Sequence, residues 1–160
     1  QVVAQRARAF DMTIHYHNRH RAEPGIEQGA IYHETVEELM PHCDFLALHC
    51  LASPETTGLL NAQRIALLPD GAVVVNASRG AVIDDAALID ALKSGKLYAA
   101  GLDVFNNEPD IDPVYRELTN VFLMPHIGSA TRETRVAMGF RALDNLDAYF
   151  GGQEPGDRVA

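Results

Sequence analysis

The stretch Pro69-Asp70-Gly71-Ala72-Val73-Val74-Val75-Asn76-Ala77-Ser78-Arg79-Gly80 decides the fold. Proline, aspartate and glycine make a turn, and three consecutive β-branched valines then favour extended backbone. The run is apolar at consecutive positions, not alternate ones. Such a strand is buried on both faces, as parallel strands are beneath helices. It is followed by Arg79 and the permissive Gly80, at the strand end where open α/β sheets meet their ligands.

The same alternation continues outward. Downstream, Asp84–Ser94 places Ala86, Leu88, Ile89 and Leu92 on one helical face, and Gly95 stops it. A strand is predicted near Tyr98–Val104, and another over 121–124, ended by Pro125. A last helix runs from about Ala130 to Phe150, before a tail, Gly151-Gly152-Gln153-Glu154-Pro155-Gly156, of flexible composition. Upstream come a helix over 61–67, a loop marked by Pro54, an apolar strand over 44–49 and a short helix around Thr35–Met40. A polar loop with Pro24 and Gly25 precedes them, after a β-rich stretch, Met12–His17. Residues 1–10 read as a helix with no cap before it, as expected of a chain cut from something longer. Without internal repeats, this order predicts one α/β domain: a doubly wound parallel sheet of Rossmann type, covered on both faces.

The bulk properties bound the function. At 160 residues and 47% apolar content, the chain can build one real core. Thirteen basic against 22 acidic residues give a net charge of −9, which argues against a broad basic surface for nucleic acid. Cys43 and Cys50 form no CxxC pair or Cys/His cluster, so they read as small core residues of a reducing compartment. No signal peptide or bilayer-length apolar stretch is present, and the cytoplasm is the expected location.

The residues after each strand carry the chemistry. After the strand at 12–17 come Asn18, Arg19, His20 and Arg21. An acid at this strand end would bond an adenosine 2′-hydroxyl, whereas neutral Asn18 beside Arg19 suits a 2′-phosphate and so NADP over NAD. Taken alone, the segment would be a solvated basic loop. Arg79 is a candidate fork for a 2-keto acid carboxylate, and its charge would also favour an oxygen that turns negative during hydride addition. Glu108, before Pro109, and His126, after Pro125, are each ordinary loop residues in isolation. As a pair they would be a proton donor near neutral pH and the carboxylate that sets its tautomer.

Three segments, Asn76-Ala77-Ser78-Arg79-Gly80, Gly101-Leu102-Asp103-Val104-Phe105…Glu108-Pro109 and Pro125-His126-Ile127-Gly128-Ser129-Ala130-Thr131, resemble the signatures of D-isomer-specific 2-hydroxyacid dehydrogenases, and Arg19 beside neutral Asn18 resembles the glyoxylate and hydroxypyruvate reductases among them. The resemblance covers essentially the whole chain. It implies that Arg79 binds the substrate carboxylate and that His126 is the general acid/base, with Glu108 hydrogen-bonded to it. Asp103 would hold the nicotinamide carboxamide. Ala77, Ser78, Arg79, His126, Gly128 and Ser129 would line the nicotinamide pocket, and Asn18 and Arg19 the adenosine side. His49-Cys50-Leu51-Ala52-Ser53-Pro54-Glu55-Thr56 resembles the family loop over the cofactor, making Cys50, Leu51, Ser53 and Thr56 further contacts. The family usually has Pro-Leu-Thr where this chain has Leu51-Ala52-Ser53. NADP, or NAD, is the implied cofactor.

In the family, Gln1 would directly follow the last Gly of G-x-G-x-x-G. The resemblance therefore implies an incomplete sheet lacking its first strand and Gly-rich loop. Residues 1–135 would be the NAD(P)-binding domain, and 136–160 a helix and tail returning toward an absent substrate domain. The isolated chain is expected to be inactive and the intact protein a homodimer. A small 2-keto acid is the expected partner, with no nucleic acid and no membrane. The alternative is a dinucleotide-sensing binding protein or corepressor on the same fold. His15 and His17 alternate on one strand and read as strand residues without a metal. The stripe Met138, Phe140, Leu143, Leu146 and Phe150 reads as core or domain contact.

Overall fold

The computed structural model describes residues 1–159. The chain divides into two compact units, Gln1–Leu123 and Met124–Ala160. In the first, the order is α1 (Val2–Arg8), β1 (His15–Tyr16), α2 (Pro24–Glu27), β2 (Ile31–Tyr32), α3 (Val36–Leu39), β3 (Phe45–Leu48), α4 (Ala62–Leu67), β4 (Ala72–Asn76), α5 (Asp85–Ser94), β5 (Leu97–Leu102) and β6 (Val121–Leu123). The second is built on α6 (Arg132–Phe150).

Four strands form one parallel sheet in the order β3-β4-β5-β6. Val74 pairs with Leu46 on one side and Ala100 on the other, so the triple-valine strand is central, as its composition predicts. Parallel neighbours need crossovers, and α4 and α5 supply two of them. Asn61 caps α4 by accepting from the Arg64 N–H at 3.1 Å, and Asp84 caps α5 by accepting from the Ala87 N–H at 3.2 Å. Gly95, at φ 78°, ends α5 in the left-handed conformation that glycine adopts without strain. Ile65, Leu88, Ile89 and Leu92 from these helices join Leu46, Leu48, Val74, Ala100 and Leu102 in one core. Burying each such leucine or isoleucine contributes about 2 kcal/mol.

The Rossmann-type parallel sheet with flanking helices is as expected, with Phe45, Val75 and Phe122 exposed on the face away from α4 and α5. Successive right-handed crossovers running in one direction along a sheet put their helices on the same side, and α4 and α5 do so. One expectation is corrected: the polar stretch around Pro24 and Gly25 is more than a loop. It holds α2, started by Pro24, and β2, which pairs in parallel with β1 through His15–Ile31 and Tyr16–Tyr32. Elements of two to four residues are too short for a period to be read. Among the described residues no ladder joins this pair to the larger sheet.

In the second unit, Thr131 caps α6 by accepting from the Thr134 N–H at 3.2 Å. The tail of flexible composition is in fact tied to the helix. The Asp157 carboxylate accepts from Arg141 Nη2 at 2.8 Å and Asn145 Nδ2 at 2.7 Å.

Candidate active site

Asn76 ends β4 and is 1% exposed. A buried amide must find partners, and this one finds them in the next three residues. Its Oδ1 accepts from the Ser78 N–H at 3.0 Å and the Ser78 hydroxyl at 2.9 Å, while its Nδ2 donates to the Arg79 carbonyl at 2.9 Å. The loop 77–79 is therefore closed on the strand end, and exposed Arg79 is its outward-facing cation. Arg79 Nη1 donates to the Ser78 carbonyl at 2.6 Å.

Next to it, β5 pairs Leu102 with Asn76, and the Asp103 N–H donates to the Asn76 carbonyl at 2.9 Å. Asp103 is 7% exposed, a carboxylate at the buried end of the strand. The chain then turns. Asn107 takes a left-handed backbone, φ 58°, and the peptide between Glu108 and Pro109 is cis. The Glu108 carboxylate accepts from the Phe105 N–H at 2.7 Å. Adjacent parallel strands thus bring Arg79, Asp103 and Glu108 to the same sheet edge.

The loop 51–57 is closed by its hydroxyls. Thr56 Oγ1 accepts from the Ser53 N–H at 2.8 Å and donates to the Leu51 carbonyl at 2.6 Å. Ser53 Oγ donates to the Glu55 carboxylate at 2.6 Å. That bond holds the Glu55 carboxyl below its ordinary value, and the nearby charge of Arg19 adds to the effect. The strand-end loop after β1 therefore lies within electrostatic reach of the loop after β3. Burial raises the Cys50 thiol, which disfavours a thiolate there.

The two basic residues after β1 differ. Arg21 is engaged: Nε and Nη2 bind Glu27 at 2.8 and 3.1 Å, and its guanidinium lies 5.8 Å from the centre of the Tyr32 ring. Arg19 makes no hydrogen bond or ion pair among the described residues. The Tyr32 hydroxyl donates to the Asn18 carbonyl at 3.4 Å, fixing the backbone at the turn. His15, His33 and His42 stack on one another with centroids 4.8–5.2 Å apart, and His15 Nδ1 lies 2.9 Å from His33 Nε2. No group of three or more His, Cys, Asp or Glu among the described residues could hold a metal ion.

In the second unit, His126 is exposed and has φ 53°, a left-handed conformation that costs a non-glycine residue about 1 kcal/mol. Gly128 and Ser129 follow within a turn closed by the Ala130 N–H on the Ile127 carbonyl at 2.9 Å.

Two structural contributors go unassigned by sequence reasoning. One is Asn76, which lies inside a quoted motif without a role. The other is a network behind the Glu108 loop. Asp85 Oδ1 accepts from the Tyr115 hydroxyl at 2.7 Å, and Asp85 Oδ2 accepts from Asn106 Nδ2 at 2.9 Å. Nothing in the spacing signals that these three residues meet.

Residues 1–128 match the model of the NAD binding domain of D-isomer specific 2-hydroxyacid dehydrogenases. A glycerate dehydrogenase from Hyphomicrobium methylovorum is 42% identical over 96% of this chain and 48% of its own length. A glyoxylate reductase from Thermococcus litoralis is 40% identical over 99% of this chain and 48% of its own. The crystal structure of an NADPH-dependent glyoxylate/hydroxypyruvate reductase from Sinorhizobium meliloti, in complex with NADP and malonate, superposes with a TM-score of 0.90. It is 37% identical, over 99% of this chain and 49% of that one. The chain thus spans about half the length of the curated relatives it matches.

Proposed function

Since the chain belongs to the D-isomer specific 2-hydroxyacid dehydrogenases, through their NAD binding domain, we propose that its complete gene product reduces a small 2-keto acid to the D-2-hydroxy acid with NADPH. The observation that carries this reading is the Asn76-closed loop, which holds Arg79 at the same sheet edge as Asp103 and Glu108.

The residues fit a phosphorylated dinucleotide. Asn18 offers no charge to repel a 2′-phosphate, and the Arg19 guanidinium makes no ion pair with a carboxylate among the described residues. Ser53 and Thr56 would flank the cofactor from the loop after β3, along with Cys50 and Leu51. Asp103 would accept from the carboxamide, beside Ala77 and Ser78. Gly128 and Ser129 would complete the lining. When bound, NADPH supplies the hydride that reduces the carbonyl carbon.

The side chains would do the rest. Arg79 binds the substrate carboxylate and stabilises negative charge growing on the carbonyl oxygen. His126 gives that oxygen its proton. Glu108 keeps the imidazole in the tautomer and charge state that donates. The balance is one hydride to carbon and one proton to oxygen, giving the alcohol and NADP⁺. Glyoxylate and hydroxypyruvate are the substrates to try first, since relatives carry those names.

The test is NADPH and NADH oxidation by the complete gene product with both acids, beside Arg19→Asp. Turnover with NADPH that falls at least tenfold in the variant, with NADH turnover preserved, supports the reading. Dinucleotide binding without turnover on any 2-keto acid would sink it in favour of a sensing role.

A further inference from the structure

We propose that Asp85, through Asn106, is a positioning residue for the reaction, holding the Glu108 loop against the Arg79 loop; this rests on the reading above. Asp85 is the first residue of α5, directly after its cap, Asp84. Its side chain is not needed to start the helix, because Asp84 already accepts from the Ala87 N–H. It is used on other elements instead. One oxygen takes the hydroxyl of Tyr115, which is 1% exposed and belongs to the turn Pro113–Arg116. The other takes Asn106 Nδ2 at 2.9 Å.

Asn106 lies between the two residues that close the Glu108 loop, Phe105 and Glu108. The same Nδ2 also donates to the Ile83 carbonyl at 3.2 Å. Ile83 directly follows the turn Gly80–Val82, which leaves the Arg79 loop. One amide group therefore ties the end of the arginine loop to the middle of the glutamate loop, and Asp85 orients that amide. A second contact runs between the same loops, where Gly80 meets the Phe105 backbone. Tyr115 anchors the outer side of Asp85, with Asp84 and Asp112 as its other acidic neighbours. The hydroxyl stays a donor, because burial and Asp85 raise its pKa far above the ordinary phenol value.

A positioning role has a signature that lost stability does not. If the Glu108 loop loosens while Asn76 still closes the Arg79 loop, proton delivery suffers and keto-acid binding does not, so kcat should fall with KM unchanged. Three variants of the complete gene product separate the possibilities. Asp85→Ala removes both bonds. Asn106→Ala removes only the tie and carries the test if the first variant does not fold. Asp85→Asn is the rescue: its amide oxygen accepts from Asn106 while its amide nitrogen donates to the Tyr115 oxygen, so both contacts persist, the second with its direction reversed, without the charge.

The expected result is a kcat about tenfold lower at unchanged KM in Asp85→Ala and Asn106→Ala, and near-native values in Asp85→Asn. Folding is checked by circular dichroism. Lower melting temperatures with kcat and KM per folded molecule unmoved would overturn the positioning role and leave only a structural one. Equal losses in Asp85→Asn and Asp85→Ala would also overturn it, by showing that the charge matters and not the bonds. A wild-type protein that reduces no 2-keto acid removes the reading beneath the proposal, an outcome distinct from either of these.

Discussion

Gly80 lies flat against the main chain of Phe105. A Cβ on Gly80 would overlap the Phe105 carbonyl and the Asn106 nitrogen, both backbone groups that cannot rotate away. The glycine is required here by close approach, since its φ is not in the left-handed range. Gly80→Ala must push the Arg79 and Glu108 loops apart. The expected cost is about 2 kcal/mol of stability, as for other overpacked sites, together with a loss of kcat/KM. Urea unfolding and steady-state kinetics on one preparation check it. An alanine variant with unchanged stability would show that the approach is looser than this.

Asn76 gives a second prediction. Its amide satisfies three backbone or hydroxyl partners while itself buried. Asn76→Ala leaves the Arg79 carbonyl and the Ser78 N–H without it, at about 1–3 kcal/mol. Because the loop presents Arg79, KM for the keto acid should rise more than kcat falls. Asn76→Asp keeps the acceptor and loses the donor, so it should lie between wild type and alanine. An alanine variant with wild-type KM would disconnect this loop from substrate binding.

The parts of this architecture that were legible in the sequence are those with a long enough signal. Val73, Val74 and Val75 announced a central strand, and Asp84 with Gly95 marked the two ends of α5. The signature segments placed Arg79, Asp103 and Glu108 after successive strands, and the sheet register brings those strands side by side. Two things stayed hidden. Two-residue strands such as Ile31–Tyr32 have no period. The Asp85–Asn106 contact joins residues 21 positions apart through side chains, and no local pattern encodes that.

The pinned tail is testable by itself. The Asp157 carboxyl is pulled down to about 2 by Arg141 and then by Asn145. A carboxyl with a lowered folded value stabilises above its unfolded pKa, 3.8 here, and loses that contribution as pH falls toward 2. Asp157→Asn should therefore free the tail at neutral pH as acid does in the wild type. Amide exchange at Gly151, Gly152 and Gln153 is the readout, expected to quicken about tenfold. No change in exchange would mean that the backbone turn after α6 holds the tail without Asp157.

The histidine stack predicts a pH response in a window where carboxylates are silent. Burial lowers the His15 pKa from its ordinary 6.5, and the neighbouring His42 and His33 lower it further. His17 also faces the group, donating to the His33 carbonyl at 3.0 Å. A base whose folded pKa is depressed binds fewer protons when folded than when unfolded. Its stabilisation is complete above 6.5 and is lost as pH falls through the lower folded value. The geometry agrees in sign: with His15 Nδ1 2.9 Å from His33 Nε2, only one of the two nitrogens can carry the intervening proton. Melting temperatures measured from pH 7.5 down to 5.5 should fall in the wild type and fall less in His15→Asn. Parallel curves for the two proteins would place the acid sensitivity elsewhere. Because β1 leads straight into Asn18 and Arg19, dinucleotide affinity of the complete gene product should weaken over the same window, and the variant should lessen that dependence too.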